Sequence, residues 1–193
     1  MARVREFDTH TALEAALAAF RRKGYEGTSV QDLVDATGVG RGSLYAAFGS
    51  KNELYHAAMH HYRKHYAMPI TEALRCDAPP RELLRGILVS LVDDIVKDET
   101  RQACLIVSAS TERVPHDLQL AREIQETIES IEDALTEVIA TGQRNGDVTS
   151  EQPARSIARF LITAMQGIRV MGAINPDRSS LMPIADVALT TLD

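Results

Sequence analysis

The sequence contains no tryptophan, only nine Phe and Tyr residues and only two cysteines. Cys76 and Cys104 lack the spacing of metal ligands and cannot form a disulfide framework. No stretch approaches the roughly 18 uncharged apolar residues that a membrane-spanning helix requires. The segment 1–6 is charged where a signal peptide would be apolar. We therefore expect a cytoplasmic protein that has no membrane partner.

Basic residues are also scarce, and the net charge of -6 argues at first against a nucleic-acid partner. The charge is unevenly distributed, however. Residues 1–66 carry nine Lys and Arg against seven Asp and Glu, together with five of the six histidines. Residues 67–193 carry twelve basic residues against twenty acidic ones. A mildly basic N-terminal part on an acidic remainder is compatible with DNA contact at one end only.

Long stretches rich in Ala, Leu, Glu, Arg and Ile favour helix, and strand-like alternation is absent. The periodicity predicts helices at 9–23, 29–38, 41–48, 50–66, 81–97, 101–112, 117–143, 153–173 and 178–191. Gly24 follows the first helix as a capping glycine should, and Ser29 and Ser50 each precede an acidic residue by three positions. Prolines and polar residues between 68 and 80 place a domain boundary there. We expect one domain over residues 6–66 and another over 80–193.

The segment 29–48, SVQDLVDATGVGRGSLYAAF, has the pattern of a helix-turn-helix. Gly38 accepts the positive φ of a sharp turn between two short helices. The apolar residues expected to pack inward are Leu33, Val34, Val39, Leu44 and Phe48. The residues left facing outward on the second helix are Arg41, Gly42, Ser43, Tyr45 and Ala46. Small residues permit close approach to a major groove, where Arg reads guanine.

The longer segment GYEGTSVQDLVDATGVGRGSLYAAFGSKNELY resembles the N-terminal signature of the TetR/AcrR family of bacterial regulators. The resemblance extends over about residues 6–66. Further on, Gln102–Leu105 resembles a Gly-Cys-Leu segment of that family with Ala103 in place of glycine, and QGIRV and ADVALTTL resemble its last two helices. This sequence departs from the family pattern at Gly40, which replaces a capping serine. It departs again at Ala46-Ala47, where larger residues are common.

The resemblance implies an all-α fold. An N-terminal three-helix helix-turn-helix head would be joined by a fourth helix to a C-terminal helical ligand-binding and dimerisation domain. It implies a homodimeric repressor, without a cofactor, that a small-molecule effector releases from a palindromic double-stranded DNA operator. The residues implied for base reading are Gln31, Arg41, Gly42 and Ala46. The residues implied for phosphate contact are Ser29, Ser43, Tyr45 and Lys51.

The last two predicted helices carry apolar stripes wide enough to form the expected dimer interface. The residues predicted for this interface are Ile157, Phe160, Leu161, Ala164, Met165, Ile168, Leu181, Ile184, Ala185 and Ala188. Some of each stripe must face its own subunit, so packing within one subunit is the competing interpretation. On the predicted helix at 117–143, five glutamates including Glu132 lie away from the apolar face, where a solvated surface is the simplest interpretation.

Four histidines lie on the predicted fourth helix, in the pairs His56 with His60 and His61 with His65. Each pair has ligand spacing, but at about 100° per residue the two pairs point about 140° apart and cannot share one metal. We therefore expect surface imidazoles near the DNA backbone and no metal site. Cys104 lies in an apolar segment and is expected to be a buried structural residue rather than a redox sensor.

Two other classes of protein are alternatives to a DNA-binding regulator. An enzyme would need catalytic residues, yet the sequence shows no nucleophile–base motif, paired catalytic carboxylates, phosphate loop or cofactor fingerprint. A DNA-binding dimer that senses no ligand is the second alternative. A cavity in the C-terminal domain would favour the sensor, whereas a solid core would favour the dimer without a ligand.

Overall fold

The computed structural model describes residues 7–193; the charged segment 1–6 and the expectation drawn from it lie outside this range. The described residues contain helices and no strand. The helices are α1 (Thr9–Lys23), α2 (Val30–Thr37), α3 (Arg41–Phe48), α4 (Lys51–Tyr62), α5 (Pro69–Ala73), α6 (Pro80–Lys97), α7 (Leu105–Glu112), α8 (Leu118–Asn145), α9 (Ala154–Ile174) and α10 (Arg178–Leu189). A π-helical segment, Arg63–Ala67, extends α4, and short 3-10 segments follow α7 and α10. The predicted all-α class is confirmed.

Helix bounds follow the capping residues that the sequence indicated. The Ser29 hydroxyl accepts a hydrogen bond from the Asp32 amide at 3.1 Å, and the Asp32 carboxylate accepts one from the Ser29 amide at 2.8 Å. This reciprocal pair satisfies two amides that the first turn of α2 leaves without helical partners. Gly38 ends α2 with φ 67° and ψ 9°, a left-handed conformation that glycine adopts at little cost.

The prediction differed from the structure at two elements. Helix α5 was not predicted, because Pro69 was interpreted as a break, whereas proline also suits the first turn of a helix. Helix α7 begins at Leu105 rather than at residue 101. The reason is a pair of hydrogen bonds that hold Ala103 outside the helix: its amide donates to the Arg21 carbonyl at 3.2 Å, and the Arg21 Nε donates to the Ala103 carbonyl at 3.1 Å.

The described chain divides into two compact units, which we call the head and the body. The head comprises the described residues up to Tyr66 together with Gln102–Arg122, and the body comprises Ala67–Arg101 and Glu123–Asp193. The sequence had assigned 102–122 to the C-terminal domain. The side chains at the centre of the head are fully buried: Leu17, Phe20, Leu33, Leu44, Leu54 and Tyr55. They come from α1, α2, α3 and α4, so the helix-turn-helix packs on the first and fourth helices.

The body is a bundle of α6, α9, α10 and most of α8 around one apolar core. Ten residues of α9 and α10 were predicted for a dimer interface, and the structure places seven of them inside this core. Those seven are Ile157, Leu161, Met165, Ile168, Leu181, Ala185 and Ala188. Phe160 and Ile184 are exposed, and Ala164 is half-buried. Seven of the ten positions therefore pack within one subunit, as the competing interpretation holds for part of each stripe, and the dimer interface stays a prediction.

One glutamate of α8 is buried, which corrects the expectation that all of them are solvated. Glu132 accepts hydrogen bonds from Arg155 at 2.6 Å and from Arg159 at 3.1 Å. The Arg159 hydrogen bond, followed by that of Arg155, holds the pKa of Glu132 below its usual value. A buried carboxylate is costly unless it is paired, so α9 supplies both partners.

Helix α9 is long and apolar enough to cross a membrane by length and composition alone. The core helix of a soluble protein passes the same test, so one such helix is weak evidence. In the described structure α9 contributes seven buried residues, and two of its three arginines, Arg155 and Arg159, pair with Glu132 of α8. These contacts account for the buried part of its apolar surface as packing within the body.

Candidate nucleic-acid interface

Helix α3 presents a polar face of small residues. Arg41, Gly42 and Ala46 are exposed, and Ser43 and Tyr45 are partly exposed. The opposite side is anchored by Leu44, which is fully buried, as is Leu33 on α2. A β-carbon built at Gly42 would meet no protein atom within 4 Å. The helix therefore has an open surface along its first turn, as a helix entering a groove requires.

The N-terminus of α3 has no side-chain cap, because Gly40 supplies no hydroxyl. Its free amides point to the same end of the helix as Arg41. The Arg41 guanidinium lies 5.6 Å from the centre of the Tyr45 ring. This contact places a planar set of five donors beside the phenol, on the face predicted to meet DNA.

The N-terminus of α2 contains further predicted contact residues. Gln31 is exposed and donates to the Asp35 carboxylate at 2.7 Å. The Ser29 hydroxyl donates to Asp32 at 2.6 Å, so its proton is already used within the capping box. Lys23 at the end of α1 donates to the same carboxylate at 2.6 Å. The hydrogen bonds from Lys23 and then Ser29 hold the pKa of Asp32 far below its usual value of 3.8.

Lys51 is held by an aromatic side chain to which the sequence assigned no role. Its Nζ lies 4.2 Å from the centre of the Tyr25 ring, and Arg113 lies 4.1 Å from the same ring. Such cation–π contacts position a charge while leaving its outer side accessible. Arg113 also donates to Asn52 at 2.6 Å. In the sequence, only the Gly-Tyr dipeptide of the family signature pointed to a role for Tyr25. Nothing in the sequence indicated that residues at the end of α7 would contact it.

The Glu112 carboxylate receives the backbone of the turn that precedes α2. Its Oε2 accepts hydrogen bonds from the amides of Tyr25 at 2.7 Å and Glu26 at 3.2 Å. Gly24 has φ 72°, and a β-carbon there would lie 2.2 Å from Glu112 Oε1. The backbone conformation favours glycine at this position, and an added β-carbon would also displace the Glu112 carboxylate from the two amides. The turn that leads into the helix-turn-helix is consequently fixed by α7.

The histidines of α4 differ from the prediction of surface imidazoles. His61 is buried and lies 2.6 Å from Glu14 of α1, measured from Nε2 to Oε1. His56 is half-buried and lies 2.9 Å from Asp117. His60 and His65 are exposed as expected. The burial of Cys104 is confirmed, and its sulfur accepts a hydrogen bond from the Tyr62 hydroxyl at 3.3 Å; its expected structural role stays a prediction.

Two family models match the chain. The model described as "Bacterial regulatory proteins, tetR family" matches residues 12–58, and the model described as "BetI-type transcriptional repressor, C-terminal" matches residues 80–193. The chain belongs to the TetR family of bacterial regulatory proteins. It is a DNA-binding transcription regulator, and the prediction of a regulator rather than an enzyme is confirmed. The helix-turn-helix described above lies within the first match.

TetR-family proteins of known sequence and structure resemble the chain over nearly its full length. It is 31% identical to the uncharacterised regulator YezE of Bacillus subtilis, covering 100% of both chains. It is 27% identical to the transcriptional repressor ComR of Escherichia coli, covering 97% of this chain and 90% of the other. Among solved structures, a cysteine mutant of the TetR-family regulator CifR, complexed with 26-base-pair operator DNA, has a TM-score of 0.84 at 29% identity. That match covers 97% of this chain and 98% of the other.

Proposed function

We propose that this TetR-family protein is a cytoplasmic homodimeric repressor that binds a palindromic operator through α3 and the N-terminus of α2. The observation that carries the proposal is the open face of α3, where Arg41, Gly42 and Ala46 stand exposed on a buried Leu44 anchor. Two comparisons support it. CifR has a closely similar fold and is complexed with operator DNA, and ComR is a repressor.

Substitutions at Arg41 and Lys51 test the proposed division between base reading and phosphate contact. The operator is first selected from random duplexes by the purified protein. Arg41→Ala should then relax base preference and cost about 1–3 kcal/mol of binding free energy, since one guanidinium reads one base pair. Lys51→Ala should weaken binding to all sequences alike and reduce the slope of log affinity against log salt by about 1. Fluorescence anisotropy at several salt concentrations measures both quantities.

The matched control is Arg144→Ala, which removes one charge from the end of α8 in the body. Its operator affinity should equal that of the wild type at every salt concentration. Thermal unfolding of Lys51→Ala shows whether the lost contact with the Tyr25 ring also destabilises the head. If Arg41→Ala changes neither affinity nor base preference, α3 is not the base-reading helix.

We infer that the effector binds an open groove of the body with a volume of about 1110 Å³. The groove lies between α5, the segment that follows it, the start of α6 and one side of α8. Ligand pockets commonly have volumes of about 300–1,000 Å³, so the groove can accommodate a small molecule. Its lining combines the apolar Leu74, Leu83 and Val138 with the carboxylates of Glu126, Glu129 and Glu137. That mixture favours an effector with an apolar body and a positive charge.

A bulky substitution in the groove tests the effector site. Ala134 lines the groove from α8, and Ala134→Trp should fill much of it. Compounds from a panel of organic amines that release wild-type protein from its operator should fail to release this variant, while its DNA affinity stays unchanged. Arg122→Trp places the same bulk on α8 outside the groove lining and should respond as the wild type does. Equal responses of all three proteins would place the effector site elsewhere.

A further inference from the structure

Helices α1 and α4 bring together three side chains that can ligate a metal ion in the head. His10 and Glu14 lie four residues apart on α1, and His61 lies on α4. The ligand atoms of these three residues all lie within 4.8 Å of one another. The ring centres of His10 and His61 are 5.3 Å apart. The spacing of the four histidines excludes a metal shared by their two pairs, but it does not exclude ligands from α1.

Imidazole nitrogen and carboxylate oxygen in this combination select a divalent transition metal. Zn²⁺ takes His nitrogen at about 2.0–2.1 Å and carboxylate oxygen at about 2.0–2.2 Å, so at tetrahedral angles two of its ligand atoms lie about 3.4 Å apart. The three ligand atoms here are separated by between 2.6 Å and 4.8 Å, so side-chain rotations must bring them to that spacing. His10 is exposed and Glu14 is half-buried, so both have room to rotate, whereas His61 is buried and fixed.

A further histidine lies beside the three. The His65 ring stacks on the His61 ring with their centres 4.3 Å apart. His65 belongs to the π-helical segment Arg63–Ala67, which continues α4. Single turns of π-helix are rare and occur frequently at functional sites. Each pair, His10 with Glu14 and His61 with His65, is thus separated by four residues in sequence. This spacing is common for pairs of metal ligands on one helix.

We propose that His10, Glu14 and His61 form a binding site for Zn²⁺ or a similar divalent transition metal. The competing interpretation is a structural hydrogen bond between His61 and Glu14, since their ligand atoms are only 2.6 Å apart. In that interpretation His10 contributes only an edge-to-face contact with the His61 ring. The metal takes the place of the shared proton and joins α1 to α4, so it stabilises the head that carries the helix-turn-helix.

Metal uptake by the untagged, metal-free full chain tests the site without reference to DNA. Zn²⁺ should raise the melting temperature of the wild type in proportion to the logarithm of its concentration, whereas Mg²⁺, which prefers oxygen ligands, should not. Loss of a residue that merely supports a ligand weakens metal binding about 10- to 100-fold, so His10→Ala should weaken Zn²⁺ binding at least about tenfold in a calorimetric titration. Glu14→Gln, which preserves side-chain shape, should do the same.

His60→Ala is the matched control, because His60 is an exposed histidine of the same helix outside the cluster. It should bind Zn²⁺ as the wild type does, and Co²⁺ should give the same visible spectrum with both. Both α1 variants alter residues that are not buried, so they should fold normally. The proposal is overturned if wild-type protein takes up no Zn²⁺ at micromolar concentrations. Unchanged affinity in His10→Ala and Glu14→Gln, or an equal loss in His60→Ala, overturns it as well.

Discussion

At the scale of single residues, a substitution at Gly42 is expected to affect the stability of the protein and its operator affinity in opposite directions. An added β-carbon at Gly42 meets nothing in the protein. Gly42→Ala should therefore stabilise α3 by up to about 1 kcal/mol, because alanine loses less backbone entropy in a helix. It should nevertheless weaken operator binding, since the added methyl group occupies space between α3 and the groove floor. Chemical unfolding and fluorescence anisotropy measure the two effects.

Gly86→Ala is the control for that substitution, because Gly86 is an exposed glycine of α6 with equally open surroundings. It should gain similar stability and keep its operator affinity. Operator affinity that is unchanged in Gly42→Ala would mean that the first turn of α3 does not approach the DNA closely.

Buried charges are the residue-scale features that the sequence could not predict. Glu132 resembles its exposed neighbours on α8 in sequence, and only Arg155 and Arg159, more than twenty residues away, account for its burial. The burial of His61 likewise depends on Glu14, which is 47 residues distant. Periodicity reports which face of a helix is apolar, but it carries no information about a partner on another helix.

At the scale of helices, α9 and α10 keep an exposed apolar face after the body's core is complete. Phe160, Met171 and Ile174 on α9 and Ile184 and Val187 on α10 are exposed by 36–68%. On α9 these positions recur at helical spacing with Ala164 and Gly167, whose small size permits close approach. We predict that a second copy of the chain covers this face, and that DNA binding needs the resulting pair of heads to reach two half-sites.

The double change Phe160→Glu with Val187→Glu should give folded monomers that lose specific operator binding, because both side chains are exposed in one subunit. Light scattering and circular dichroism report mass and folding. Val96→Glu on α6 alters an exposed valine outside this face and should leave the dimer intact. Ala188→Glu should unfold the body instead, since Ala188 is buried in its core. A monomeric wild type at micromolar concentrations would contradict the predicted interface.

Helix bounds were predictable wherever a local signal exists. The bounds of α1 and α3 agree with the prediction, and the capping residues of α2 and α4 act as predicted. The start of α7 was not predictable, since it depends on hydrogen bonds between Ala103 and Arg21, 82 residues earlier. The exposed face of α9 was predicted only in part, because its apolar stripe is wide enough to pack inward and outward together.

At the scale of the whole molecule, the all-α class and the helix-turn-helix could be predicted, but the composition of the head could not. A linear chain suggests a division near residue 66, whereas the compact head also includes Gln102–Arg122. The contacts that hold this segment are Glu112 to the amides of Tyr25 and Glu26, Arg113 to Asn52, and Cys104 to Tyr62. None of these pairs has a periodic signature.

The Glu112 contact limits how such regulators can be recombined. A chimera that takes only its first 66 residues from this chain would lose Glu112, whose carboxylate accepts hydrogen bonds from two backbone amides. It would keep Gly24, beside which that carboxylate lies. The DNA specificity of this protein is therefore not portable as an N-terminal cassette. We expect transfer of its DNA specificity to another regulator to require the short segment around α7 as well.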